Sequence, residues 1–381
     1  MATGKSATAA GDRSSLVAFL LREKVLGVAL LSCAVAFYFE HELASALANP
    51  LILIGVLAWL FIVILATAIG VVRHAEALSH RLGEPYGTLV LTLAITGIEV
   101  MSITAVMMHG ENNPALVRDT LFSVVMIIMG GMVGISLLLG AFRHKELSFN
   151  LQGANAYLGV IIPLAVFSLV LPDFTRSTGE PTLTGMQKVM VGVMAVCLYA
   201  VFLLIQTGRH RAFFSLPETE DAGPHEEEGS PYPLYGSLLL LVGYIVPIIL
   251  LVEQLAKPVD YIIETLDMPA AIGGVLMAIL VTAPEALGGI RSALANRLQQ
   301  SVNIFLGSVL ATIGLTVPIM LMVSSALGLE LVLGLAGVDM VLLLLIFAVS
   351  IVTFSSGRTH VLQGAVHFLI FVAFLMLLYR G

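Results

Sequence analysis

Leu93-Ala94-Ile95-Thr96-Gly97-Ile98-Glu99 and Ile279-Leu280-Val281-Thr282-Ala283-Pro284-Glu285 follow one pattern. Each stretch places a threonine three residues before a glutamate, inside an apolar run long enough to cross a bilayer. Aligned on the glutamates, Thr96 meets Thr282 and Gly87 meets Gly273, all at an offset of 186 residues. An acidic side chain at the centre of a membrane helix costs at least ~2.5–3.5 kcal/mol on insertion scales measured for Asp. Two of them at matching positions therefore read as a working site.

Outward from these motifs the whole chain is apolar. Of its 381 residues 58% are hydrophobic and 11% are charged, against about 25% charged in a soluble protein. Polar punctuation separates eleven apolar runs, 25–47, 51–72, 87–109, 117–141, 153–171, 186–206, 234–253, 269–294, 302–327, 336–354 and 360–379. This predicts an all-α polytopic membrane protein with about 11 transmembrane helices. The paired motifs divide it into a tail (1–24), an extra N-terminal helix (25–47), a five-helix repeat (51–206), an acidic linker (207–233) and a second five-helix repeat (234–381). The match continues into the next span. Asp119 to Val125 aligns with Asn303 to Val309, Gly130 with Gly314 and Gly134 with Pro318. Repeats with an odd number of spans enter the membrane in opposite senses, and such inverted repeats place their equivalent residues near the midplane, as secondary transporters commonly do.

Basic residues set the expected topology. With the N-terminus in the cytoplasm, thirteen of the Lys and Arg residues fall on the cytoplasmic side (among them Arg73, Arg143, Arg211, Arg297 and Arg358) and five on the other: Arg118, Arg176, Lys188, Lys257 and Arg380. The linker gathers Glu218, Glu220, Asp221, Glu226, Glu227 and Glu228, read as a solvated connection or as a cytoplasmic acidic patch that attracts cations.

Several function classes drop out. A net charge of -7 without a basic cluster argues against a nucleic-acid partner. Gly4-Lys5-Ser6 lacks the first glycine of a phosphate-binding loop, so no nucleotide is expected. His41-Glu42 lacks the second histidine of a zinc-protease motif, and His367 stands alone in its span. Cys33 and Cys197, both within apolar runs, read as core packing. No enzyme and no bound cofactor are expected, and nothing in the sequence indicates an oligomeric state.

The chemistry then rests on Glu99 and Glu285 as the cation- and proton-binding pair. Thr88, Thr92, Thr96 and Glu99 share one helix face, as do Thr282, Glu285, Gly289 and Ser292, while Ser308, Thr312 and Thr316 stripe the next span. Thr92, Thr96, Gly97, Thr282, Pro284, Ser308 and Thr312 are read as cavity lining around the glutamates. Pro284 frees a backbone carbonyl, which with carboxylate and hydroxyl oxygens suits a hard cation. Asp119 and Asn303 are weaker candidates, Asp119 more as an interfacial ion pair with Arg118. A glutamate so placed can hold a proton without a cation and release it when one arrives, which suffices for antiport. A cation channel with a carboxylate-lined pore is the alternative.

The sequence also resembles the ChaA-type antiporters of the calcium/cation antiporter superfamily. The resemblance runs through Gly83-Glu84-Pro85-Tyr86-Gly87-Thr88-Leu89, Arg118-Asp119-Thr120-Leu121, Ser136-Leu137-Leu138-Leu139-Gly140 and Phe202-Leu203-Leu204-Ile205-Gln206-Thr207. It resumes at Pro284-Glu285-Ala286-Leu287-Gly288 and across Phe305 to Thr312. It implies exchange of Ca²⁺, Na⁺ or K⁺ for H⁺ by two repeats that each contribute one central glutamate, here Glu99 and Glu285. Related calcium/proton exchangers carry Gly-Asn-Ala-type motifs before the glutamate, and this chain has Ile95-Thr96-Gly97 and Val281-Thr282-Ala283 instead. The cation thus stays open among the three. The membrane expected is a bacterial inner (cytoplasmic) membrane, and the basic-residue count with an odd number of spans puts the N-terminus in the cytoplasm and the C-terminus outside.

Overall fold

The computed structural model describes residues 21–82, 86–108, 113–175, 182–214, 232–335 and 337–378. Gly4-Lys5-Ser6 and most of the N-terminal tail, Gly83-Glu84-Pro85, Arg176, Arg380 and the linker acids from Glu218 to Glu228 lie outside the described residues.

A backbone in hydrocarbon has no water to bond, so apolar runs satisfy their own amides by forming helices. In chain order these are α1 (Lys24–Tyr38), α2 (Glu40–Ala46), α3 (Pro50–Leu82), α4 (Tyr86–Met107), α5 (Leu116–His144), α6 (Leu151–Phe174) and α7 (Gly185–Thr207). The second half holds α8 (Leu234–Thr265), α9 (Ala271–Leu294), α10 (Leu298–Leu327), α11 (Gly337–Phe354) and α12 (Val361–Leu378). Asn150 caps α6 by accepting from Gln152 and Gly153, and Thr184 with Gln187 forms a capping box on α7. Among the described residues nine helices are long and apolar enough to cross a membrane, or ten if α1 and α2 form one span. The Glu99 helix α4, 22 residues from Tyr86 to Met107, is not among these nine, against an expected count of about eleven. Helices α5 and α10 are the most buried and α7 among the least.

The structure departs from the expected boundaries in particular places. The run 25–47 breaks at Phe39, where α1 and α2 meet at 73°. The polar Glu40-His41-Glu42 follows at once, and Lys257 of α8 holds Glu40 in an ion pair. Helix α3 continues ten residues past Val72, through Arg73 and His74, which are both paired with Glu23. Cys33 packs in the core as expected, its thiol against the Pro247 carbonyl, but Cys197 is exposed on peripheral α7. Helices α5 and α10 each widen into a π-helical segment midway, Met126–Met132 and Thr312–Thr316. A small ladder also interrupts the helical architecture. Strand β1 (Leu147–Ser148) pairs antiparallel with β2 (Arg358–Thr359), Leu147 opposite Thr359.

Side chains on the loops sort them into two faces. On one face, His144 bonds the Leu294 carbonyl, the Asn150 amide donates to Gln299, and Asn303 donates to the Phe214 carbonyl. On the other, Arg118 donates to the Gly334 carbonyl, the Val332 amide to Pro114, and the Leu335 amide to Leu169. Helix α1 is tied to the first face through Glu23, which is buried and accepts from Arg73 (α3), Tyr244 (α8, 2.7 Å) and Tyr232 (3.0 Å).

Candidate functional site: a carboxylate-lined cavity

Helices α4 and α9 carry the two T-x-x-E motifs, and α9 packs against α4, α5 and α10. Where they meet, a cavity of about 300 Å³ is lined by both Glu99 and Glu285. A third carboxylate, Glu76, also lines it, and among the described residues no lysine, arginine or histidine does. In a low-dielectric setting such walls focus a negative potential that attracts cations. From the glutamates the cavity extends to Glu76, Gln206, Gln300 and Asn303, at helix ends on the Phe214 face. Toward the other face Ile103, Met107, Val317 and Met320 are all buried.

The two glutamates are held differently. Glu99 is 1% exposed, and its Oε2 accepts from Thr312 (3.1 Å) and Thr316 (2.7 Å) while Oε1 has no partner among the described residues. Glu285 Oε1 lies 3.5 Å from the Ser308 hydroxyl, the outer limit of a hydrogen bond, and Oε2 has no partner among the described residues. A buried carboxylate oxygen without a donor is costly unless something else binds it. Among the described residues no three His, Cys, Asp or Glu side chains converge on one point. A Ca²⁺ ion, which takes six to eight oxygens, would need hydroxyls, carbonyls or water to complete its shell beside the two carboxylates.

Of the residues expected around the glutamates, Thr92, Thr96, Pro284, Ser308, Thr312 and Asn303 line the cavity. Gly97 and Thr282 do not. Thr282 is buried and spends its hydroxyl on the Ala278 carbonyl at 2.7 Å. Leu280, whose carbonyl Pro284 frees, is fully buried and also absent from the lining. Asp119 sits apart, beneath Arg118 (2.8 Å) on the far face. Sequence reasoning missed Glu76, Tyr157, Tyr199 and Gln206. Tyr199 hydrogen-bonds Thr92, and Gln206 donates to Tyr157 at 2.9 Å, so the cavity lining carries polar groups besides the carboxylates. Glu76 was hidden by ending its span at Val72, although Ala75, Ala77 and Leu78 continue a helical pattern.

Known proteins were compared with this chain. The family "Sodium/calcium exchanger protein" matches it over residues 52–208 and again over 236–380. The protein y4hA of Sinorhizobium fredii is 43% identical over 307 residues, covering 80% of this chain and 83% of that one. The sodium-potassium/proton antiporter ChaA of Escherichia coli is 38% identical over 323 residues, covering 83% and 86%. The native structure of YfkE superposes with a TM-score of 0.72 at 17% identity, covering 94% and 99% of the two chains, which shows a shared fold. With family matches over residues 52–208 and 236–380, and with nine described helices long and apolar enough to cross a membrane, the chain is an integral membrane transporter that belongs to the sodium/calcium exchanger protein family.

Proposed function

We propose that this protein exchanges Ca²⁺, Na⁺ or K⁺ for H⁺ by alternating access, with Glu99 and Glu285 shared between cation and proton. The observation that carries the reading is that Glu99 and Glu285, each with one carboxylate oxygen lacking a hydrogen-bond partner among the described residues, line one cavity that has no basic side chain among its described lining. A cation that enters displaces whatever protons the two carboxyls hold, so the two cargoes exclude each other. The antiporter ChaA, 38% identical, supports the same class of exchange.

The two matches of one family, over 52–208 and 236–380, support a first repeat at 51–206, a linker at 207–233 and a second repeat at 234–381. The grouping of loops supports a topology in which Arg73, Arg143, Arg211, Arg297 and Arg358 share the cytoplasmic face, with the N-terminus there and the C-terminus outside. The cavity then opens to the cytoplasm, and the membrane is a bacterial inner membrane.

The test is exchange in everted vesicles with Ca²⁺, Na⁺ and K⁺ added separately across a range of pH. Glu99→Gln and Glu285→Gln are each expected to abolish coupled exchange at an unchanged amount of protein in the membrane. Full exchange in either variant sinks the mechanism, and large unitary currents in place of coupled flux would identify a channel.

A further inference from the structure

Glu99 and Glu285 hold equivalent places in the two halves, yet their surroundings are not equivalent. All three hydroxyls that reach them, Ser308, Thr312 and Thr316, come from the single helix α10. The two that grip Glu99 mark the first and last residues of the π-helical segment Thr312–Thr316. The corresponding segment of α5 reads Met-Ile-Ile-Met-Gly-Gly-Met over Met126–Met132, with no hydroxyl at any position. Whichever register relates the halves, Glu285 has no counterpart to the threonine pair. The bond lengths repeat the contrast, with hydroxyls at 3.1 and 2.7 Å on one Glu99 oxygen and one hydroxyl at 3.5 Å on Glu285, whose carboxyl otherwise bonds its own backbone.

Thr316 is fully buried and, unlike Thr312, does not line the cavity, so its hydroxyl reaches a cation there only through Glu99. We propose that Thr316 is a positioning residue that, with Thr312, fixes Glu99 as the static half of the cation site, while Glu285 is the carboxylate that turns between cation and proton. This rests on the two-glutamate reading above. Two hydroxyls on Oε2 leave Oε1 as the Glu99 oxygen without a donor among the described residues. A carboxylate already held by charge-assisted bonds need not be ordered when the cation binds, and that lost ordering cost appears as affinity. Glu285, without such a grip, can rotate as its partner changes.

The test uses the full chain in everted vesicles and the cation among Ca²⁺, Na⁺ and K⁺ that the wild type exchanges fastest. Thr316→Val keeps the shape and removes the donor. It is expected to raise KM for the cation about tenfold, the worth of one weakened charge-assisted bond, with the maximal rate within about twofold. Thr316→Ser, which restores a hydroxyl, is expected to recover most of the affinity. An unchanged KM in Thr316→Val, or an equal loss in Thr316→Ser, overturns the positioning role.

A second comparison reads the division of labour directly. Glu99→Asp draws the carboxylate away from both threonines, whereas Glu285→Asp shortens a side chain that has little to lose. Glu99→Asp should therefore lose more cation affinity than Glu285→Asp, and equal or reversed losses overturn the asymmetry. Failure of the underlying reading is seen separately, as retained exchange in Glu99→Gln.

Discussion

Gly274 marks a close approach of α9 to α5, and it offers a sharp test of how the Glu285 helix is placed. A Cβ built there would lie 2.7 Å from both the carbonyl carbon and Cβ of Asp119, and 2.8 Å from the Thr120 nitrogen. Carbon atoms pack at about 3.5–4.0 Å, so Gly274→Ala asks α9 and α5 to separate by about 0.8 Å. Two of the three obstructing atoms are backbone, and α5 is buried along nearly all its length, so neither side can yield cheaply. Overpacking of this kind costs about 1–3 kcal/mol, and the gain from replacing a helical glycine, about 0.5–1 kcal/mol, offsets only part of it. Gly243, within α8, supplies the control, because nothing lies within 4 Å of a Cβ there. Gly243→Ala should be neutral or slightly stabilising. Thermal denaturation of the purified protein in detergent should separate the two variants by about 2 kcal/mol at the transition, with exchange reduced only in Gly274→Ala. Equal melting of the two would refute the backbone contact as the spacer between these helices.

Other consequences are open to the same assays. Burial pushes the Glu23 carboxyl up, but hydrogen bonds from Tyr244 and Tyr232, the Arg73 charge and the His74 contact outweigh it and hold the group below its ordinary range. Its contribution to stability is then present above the ordinary carboxylate range and lost as pH falls through the depressed folded value, so Glu23→Gln should destabilise by about 1.5–3 kcal/mol at neutral pH. The gap between variant and wild type should close in strong acid, and a constant gap across pH would refute the charge as its origin. His367 joins the Met129 carbonyl (2.6 Å) to the Thr353 hydroxyl (3.0 Å) while fully buried, so His367→Leu should lower the melting transition by about 1–3 kcal/mol without changing KM. Arg358 and Glu146 sit 3.8 Å apart and both are well exposed, so Arg358→Ala should leave stability within about 0.5 kcal/mol of wild type.

The parts of this molecule that could be read from its sequence are those set by burial of charge. Glu99 and Glu285 stand out because an acidic residue in an apolar run has few structural uses, and their spacing tied the two halves together before any helix was placed. What escaped depends on contacts between distant segments. Helix α3 runs on past Arg73 and His74, which both pair with Glu23 some fifty residues earlier, and that extension carries Glu76 to the cavity. The break at Phe39 joins an α1 that is apolar to a residue that pairs with Lys257, more than two hundred positions away. Thr282 and Thr96 look identical in their motifs, yet one lines the cavity and the other bonds back to its own helix. The π-helical segments have no periodic signature in seven or fewer residues, so the gripping of Glu99 by Thr312 and Thr316 becomes visible only in three dimensions.

The ladder of Leu147–Ser148 with Arg358–Thr359 has a consequence for how these loops can drift over evolutionary time. Its bonds are made by main-chain atoms, so it tolerates replacement of nearly any side chain except at Leu147 and Thr359, which face inward. It does not tolerate a change of length. One residue inserted before Leu147 would turn that fully buried side chain outward and bring a neighbour of opposite character in. The two connections should therefore be free in composition and rigid in residue count, a clasp between the two halves of the chain that is spelled by spacing alone.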